Sequence, residues 1–169
     1  MALDVGLFVT IAEIAGIFVG FGALISVTRR AEIETSKLWR IRGLVTMGLG
    51  VIVASLIPIG LHRYGITGHE LWFTCSLIYL LLNWFVSIWS LRKPEVRKLV
   101  ITEARANPFA GVFFWLLLEV PLQVPLFLIL FGVYPNLEPA LYTTAVFFAL
   151  FEAAFVLTQL VYAKLRKEL

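Results

Sequence analysis

The sequence predicts an all-α, polytopic integral membrane protein with five transmembrane helices, its N-terminus outside and its C-terminus cytoplasmic. Composition is the first reason: of 169 residues, 60% belong to the set AVILMFWYC and only 15% are charged, with a mean hydropathy of +0.92. A water-soluble domain runs at about 45–50% apolar and about 25% charged, so this chain carries more apolar surface than one small core can hide. Run length is the second: a helix needs about 20 apolar residues to cross ~30 Å of hydrocarbon, and such runs cover 5–28, 43–61, 71–91, 109–133 and 140–163. The third is the distribution of charge, taken up below. Length allows a single transmembrane domain, 1–169.

The runs read as helices because segments such as LIYLLLNWFV and FFWLLLEV lack the two-residue alternation of a membrane barrel. The first span is longer than the 7–15 apolar residues of a signal-peptide core and has no Lys or Arg ahead of it, so it is expected to remain in the mature protein. Its small residues Gly6, Ala12, Gly16, Gly20 and Ala23 share one side of the helix with Glu13. The Gly16/Gly20 pair allows close helix approach, which makes this side an expected association surface, either within the chain or between copies. Span two adds the small residues Thr46, Gly50 and Ala54 and no ionisable group.

Span three places Trp72, Ser76, Tyr79, Asn83, Ser87 and Ser90 within about 80° of one another, a polar stripe poorly suited to lipid. Span four reads LLLEVPLQVP. Pro121 and Pro125 remove two N–H groups, so the carbonyls of Leu117 and Pro121 lose their helical donors and a break is expected beside Glu119 and Gln123. Trp115, Glu119 and Gln123 follow at i, i+4 and i+8. In span five, Tyr142, Ala145, Ala149, Glu152, Val156, Gln159 and Ala163 form a narrow stripe that places the carboxyl among small residues.

Thirteen of the fourteen Lys and Arg residues fall in the stretches 29–42, 92–108 and 164–169, and only Arg63 falls on the other side. With their acids counted, the two faces carry net charges of +8 and −2. The positive-inside rule therefore puts the N-terminus outside. The basic balance follows from topology, with no nucleic acid implied, and favours anionic lipids at the cytoplasmic face. Residues 94–106 alternate charge with Val96, Leu99 and Val100, as expected of a short interfacial helix. Aromatic residues agree, with Tyr64, Trp72, Tyr134 and Tyr142 near the outer boundary and Trp39, Trp89 and Tyr162 near the inner one. The expected location is the cytoplasmic (plasma) membrane.

Three of the eleven acids lie inside spans: Glu13, Glu119 and Glu152. An ionised carboxylate at mid-bilayer costs at least ~2.5–3.5 kcal/mol, and no span contains a Lys, Arg or His to offset it. By helical rise from the outer edge, Glu13 lies at ~12 Å, Gln123 at ~15 Å, Asn83 and Glu152 at ~18 Å and Glu119 at ~21 Å. Asn83, Glu119, Gln123 and Glu152 thus share one layer, where polar groups seek one another or water.

The expected function is a small homo-oligomeric channel or proton-coupled permeation protein that uses Glu13, Glu119, Glu152, Asn83 and Gln123. The alternative is a non-catalytic accessory or assembly subunit whose polar faces dock on a larger membrane partner. No enzyme is expected, since no nucleophile elbow, phosphate loop, HExxH or CxxC is present. No cofactor is expected either. The lone Cys75 precludes an intrachain disulfide or a cysteine-based metal cage, and the loop HRYGITGHE offers His62, His69 and Glu70, one ligand short of a tetrahedral site.

Overall fold

A computed structural model describes residues 4–28, 35–94, 96–98, 101–102 and 108–168. Every element among them is helical and no strand occurs. The elements are α1 (Val5–Thr28), α2 (Thr35–Arg63), α3 (Gly68–Leu91), α4 (Pro108–Val112), a π-helical segment (Phe113–Glu119), α5 (Val120–Leu130), a 3₁₀ turn (Pro135–Leu137) and α6 (Glu138–Glu168). Four helices, α1, α2, α3 and α6, are long and apolar enough to cross a membrane. The chain is a helical membrane protein.

The segment expected as span four differs from the other four. It is continuous in chain from α4 to α5, but its α-helical hydrogen-bonding gives way to π turns over seven residues. The disturbance expected at the prolines therefore lies just N-terminal to Pro121. Pro121 sits in the first turn of α5, where a missing N–H costs little, and Pro125 is carried within the helix. The observed helices also extend past the apolar runs, α2 beginning at Thr35 and α6 reaching Glu168, because polar flanks continue a helix once its apolar part is formed.

Helix α6 is the centre of the packing and touches α1, α2, α3, α5 and the π segment. Helix α1 packs chiefly on α2, and α3 lies against α2, α5 and α6. The core joins Phe8, Ile11 and Ala15 of α1, Val51 and Ala54 of α2, Leu71 to Leu80 positions of α3, Leu122, Leu126 and Ile129 of α5, and Tyr142 to Leu150 positions of α6. On α1 the positions Phe8, Ile11, Ala15 and Gly22 are buried, Ala15 and Gly22 against α2, whereas Glu13 is exposed. The close approach of α1 and α2 occurs at Gly22 and Gly48: a Cβ on Gly48 would stand 2.6 Å from Val19, and one on Gly22 2.9 Å from Val45. Gly16 and Gly20 have open space where a Cβ would go, so the expected small-residue association surface is left unused within the protomer.

Helices α2 and α5 end alike at one end of the bundle. After α2, Gly65 N–H donates to His62 O at 3.0 Å and Ile66 N–H to Leu61 O at 3.2 Å; after α5, Gly132 N–H donates to Ile129 O at 3.0 Å and Val133 N–H to Leu128 O at 3.1 Å. These are Schellman pairs, which need a residue with positive φ; Gly65 at +84° and Gly132 at +62° supply it. We refer to this as the loop end. At the opposite, basic end, residues 94, 96–98 and 101–102 of the stretch 94–106, where the interfacial helix was expected, are described and are helical, with Val96 buried; the rest of that stretch and residues 29–34 lie outside the described residues.

Candidate functional site

The π segment ends at Glu119, and its wider turns change which side of the helix that residue presents relative to a continuous α-helix. From there the Glu119 carboxyl collects neighbours from three helices. Gln123, one turn along in α5, donates its side-chain amide to Glu119 Oε1. Asn83 Nδ2 of α3 donates to the same oxygen at 3.5 Å. Glu152 of α6 brings its carboxyl near enough to Glu119 for the two to interact electrostatically.

Burial is uneven across the group. Glu152 is 5% exposed, on the small-residue stripe of α6 with Ala145, Ala149 and Ala153, whereas Asn83, Glu119 and Gln123 are half-buried. Glu152 Oε1 has no hydrogen-bond partner among the described residues. On the open side, Trp84 Nε1 donates to Gln123 Oε1 at 3.4 Å, and the Trp84 ring lies 6.0 Å from that of Phe127. Tyr79, on the polar stripe of α3 and 4% exposed, neighbours both Glu119 and Glu152 electrostatically. The site is a carboxyl pair with amide donors on its exposed side and a buried phenol on the other.

The four polar residues grouped by depth in the sequence are therefore brought together, and Glu13 is not among them. Sequence reasoning passed over Tyr79 and Trp84 as site residues. For Tyr79 a signal was available, because it lies one helical turn from Asn83 on the same stripe. Trp84 gave none, since it neighbours Asn83 in sequence and reaches the site only through Gln123. The Trp115 side chain, expected in line with Glu119, lies outside the described residues.

The stripe on α3 is buried only toward the loop end: Trp72, Ser76 and Tyr79 are in the core, while Ser87 is exposed. Trp72 and Tyr142, expected near the outer membrane boundary, pack together with ring centroids 5.6 Å apart. Phe8 joins them at 6.3 Å and 6.1 Å. Tyr142 can be buried because its hydroxyl donates to Ala54 O at 2.8 Å. That carbonyl lies four residues before Pro58, which has no N–H to offer it. Tyr64 and Tyr134 are exposed at the loop end as expected.

A second polar feature occupies the loop end. Glu138, the first residue of α6, is 1% exposed, and its Oε1 accepts from His69 Nδ1 at 2.5 Å. Its position also suits the positive end of the helix dipole. A cavity of about 560 Å³ beside this pair is lined by His62, His69, Trp72, Asn136 and Glu138 among others. No group of three His, Cys, Asp or Glu residues able to hold a metal exists among the described residues, so His62, His69 and Glu70 do not converge. Glu138, counted in the sequence as a loop acid, is the partner His69 takes.

Comparison with known protein families, with curated proteins and with solved structures finds no match to this chain.

Proposed function

We propose that the protein is a proton-coupled permeation protein or small channel, and that Glu119 and Glu152, with Asn83 and Gln123, form its proton- or cation-binding site. The single observation behind this reading is the pairing of two membrane-embedded carboxyls, one of which keeps a partnerless oxygen in the core. A purely structural staple would be expected to satisfy all its atoms, whereas a free acceptor beside a second carboxyl can take up a proton or a cation and release it again. The half-buried amides of Asn83 and Gln123 suit an oxygen that changes charge during a cycle, since each donates to Glu119 whether or not that carboxyl is ionised.

The working arrangement is five spans, with the loop end outside. The stretch 108–130 would supply the remaining span: 23 residues at 1.5 Å rise give ~34 Å, enough for the hydrocarbon core. Orientation follows the concentration of Lys and Arg at the basic end. The cytoplasmic membrane and its anionic inner lipids fit that charge distribution. Glu13 and the open Gly16/Gly20 side of α1 suit contact with further copies, so assembly as a homo-oligomer belongs to the proposal.

An accessory-subunit role is the second reading, favoured by α3, whose basic half from Leu81 to Leu91 is exposed apart from the half-buried Asn83 and Ser90. Flux measurement separates the two. Purified protein in liposomes under an imposed potential should pass protons or a monovalent cation, and a folded Glu119→Gln/Glu152→Gln double variant should not. Equal flux through both would reject the carboxyl site, and a silent but folded wild type would favour the accessory role.

A further inference from the structure

The open side of the carboxyl site is tied together by side-chain hydrogen bonds that all run in one direction. Asn83 and Trp84, consecutive on α3, reach two residues one turn apart on the facing segment: Asn83 Nδ2 donates to Glu119 Oε1 at 3.5 Å, and Trp84 Nε1 donates to Gln123 Oε1 at 3.4 Å. Gln123 Nε2 closes the set by donating to Glu119 Oε1.

A side-chain amide turned over about its last bond keeps its shape and exchanges its oxygen for its NH₂, so the neighbours decide which way it points. Trp84 decides it for Gln123, because an indole nitrogen donates and never accepts. Trp84 is 47% exposed, on a surface where hydrocarbon offers no acceptor, so its N–H depends on Gln123 Oε1. Turning the amide over would set NH₂ against N–H at Trp84 and oxygen against oxygen at Glu119. The Gln123 oxygen is thereby held away from the carboxyl, with the amide N–H toward it.

This orientation bears on what the site can hold. Glu119 Oε1 accepts from both amides, which leaves a proton the other Glu119 oxygen or the Glu152 carboxyl, whose Oε1 has no partner among the described residues. A bare cation needs a shell of oxygens: calcium takes about 6–8, and potassium filters are rings of carbonyl oxygens. Here Asn83 and Gln123, the two amides able to supply oxygens, give Glu119 their N–H groups instead, and those hydrogens carry the positive partial charge that a cation avoids.

We propose that the carboxyl site takes protons and rejects alkali cations, and that Trp84 is the positioning residue behind this selectivity, holding the Gln123 amide with its N–H toward Glu119. The amide orientation stands on the hydrogen bonds; its meaning for selectivity rests on reading the two carboxyls as the permeation site. Without the indole N–H, the Gln123 amide is free to turn its oxygen inward beside the carboxyl oxygens and help complete a cation's shell.

Infrared difference spectra of the protein in lipid bilayers test this without flux. The carboxyl bands of the site are those lost in Glu119→Gln/Glu152→Gln. In the wild type they should respond to a change of pH and not to replacement of N-methylglucamine chloride by sodium or potassium chloride. In Trp84→Phe, which keeps an aromatic ring beside Phe127, sodium should shift them at a concentration roughly tenfold or more below any wild-type response, tenfold being about 1.4 kcal/mol in affinity. If Trp84→Phe does not fold, Gln123→Glu decides: it puts an acceptor where the amide N–H stands and should give the same sodium response, and its absence overturns the proposal. Wild-type bands that follow sodium, or that ignore pH, overturn the proton assignment. A folded Trp84→Phe as blind to sodium as the wild type overturns the role of Trp84. Sodium flux through the wild type that is lost in the double variant keeps the permeation reading and rejects proton selectivity, whereas the expected spectra from a protein that passes nothing keep the selectivity and reject permeation.

Discussion

Removing the Tyr142 hydroxyl tests how a proline inside a membrane helix is accommodated. Pro58 lies within α2 and is fully buried; lacking an N–H, it gives the Ala54 carbonyl no α-helical donor. Tyr142 supplies one from α6 at 2.8 Å, with both residues 0% exposed. Tyr142→Phe keeps the ring and its packing on Phe8 and Trp72 but leaves a buried carbonyl without this donor. The cost of such a group is about 1–3 kcal/mol. Pro58→Ala restores an N–H at the position the helix geometry requires, so in that background the same Tyr142→Phe change should cost about 1 kcal/mol or less. The expected coupling between the two sites is therefore about 1–2 kcal/mol. Equilibrium unfolding in mixed micelles, run on the wild type, both single variants and the double variant, measures it. Equal costs of Tyr142→Phe in the two backgrounds would refute the reasoning, because the phenol would then not be replacing a donor that proline removes.

Glycine positions should separate sharply under substitution. Gly48→Ala forces a Cβ against Val19 and should destabilise by about 1–3 kcal/mol, while Gly16→Ala and Gly20→Ala enter open space and should be neutral or stabilising in the same unfolding assay. If Gly16 and Gly20 mediate contact between copies, bulkier Gly16→Leu and Gly20→Leu changes should lower the oligomer fraction on sedimentation at unchanged protomer stability. At the loop end, His69→Ala leaves Glu138 buried without its imidazole donor and should cost about 1–2 kcal/mol, a figure kept modest because His69 is half exposed and the α6 dipole still favours the carboxylate. Glu138→Gln keeps an acceptor for His69 and should cost less; the reverse order in thermal melts would mean that the pair is not the contact holding the turn to α6.

Depth was the legible part of the site. Helical rise alone put Asn83, Glu119, Gln123 and Glu152 in one layer, and hydrocarbon leaves such groups few alternatives to meeting. Depth also set Glu13 apart, at ~12 Å, but it could not say which way Glu13 faces, because depth says nothing of azimuth. Which side of α1 faces the bundle is decided by shape: Ala15 and Val19 fit against Gly48 of α2 and Phe8 against Trp72 and Tyr142, and this turns Glu13 outward. The prolines of span four were equally visible, but the form of the break was not. A kink and a π segment both relieve the same lost donors, and the choice depends on neighbours that the local sequence does not name.

What the sequence determined by itself is the class of fold. Apolar runs of membrane length must become helices, because backbone amides in lipid can be satisfied only within the segment, and their composition is a local property. The partners were decided by tertiary structure. Tyr142 and Trp72 turn into the core because a proline in another helix freed a carbonyl and Phe8 completed an aromatic cluster. Glu138 takes His69, and Tyr79 comes to stand beside two carboxyls, because α6 runs through the centre of the bundle. Such pairings link residues up to 88 positions apart, and only the packing of whole helices brings them within bonding distance.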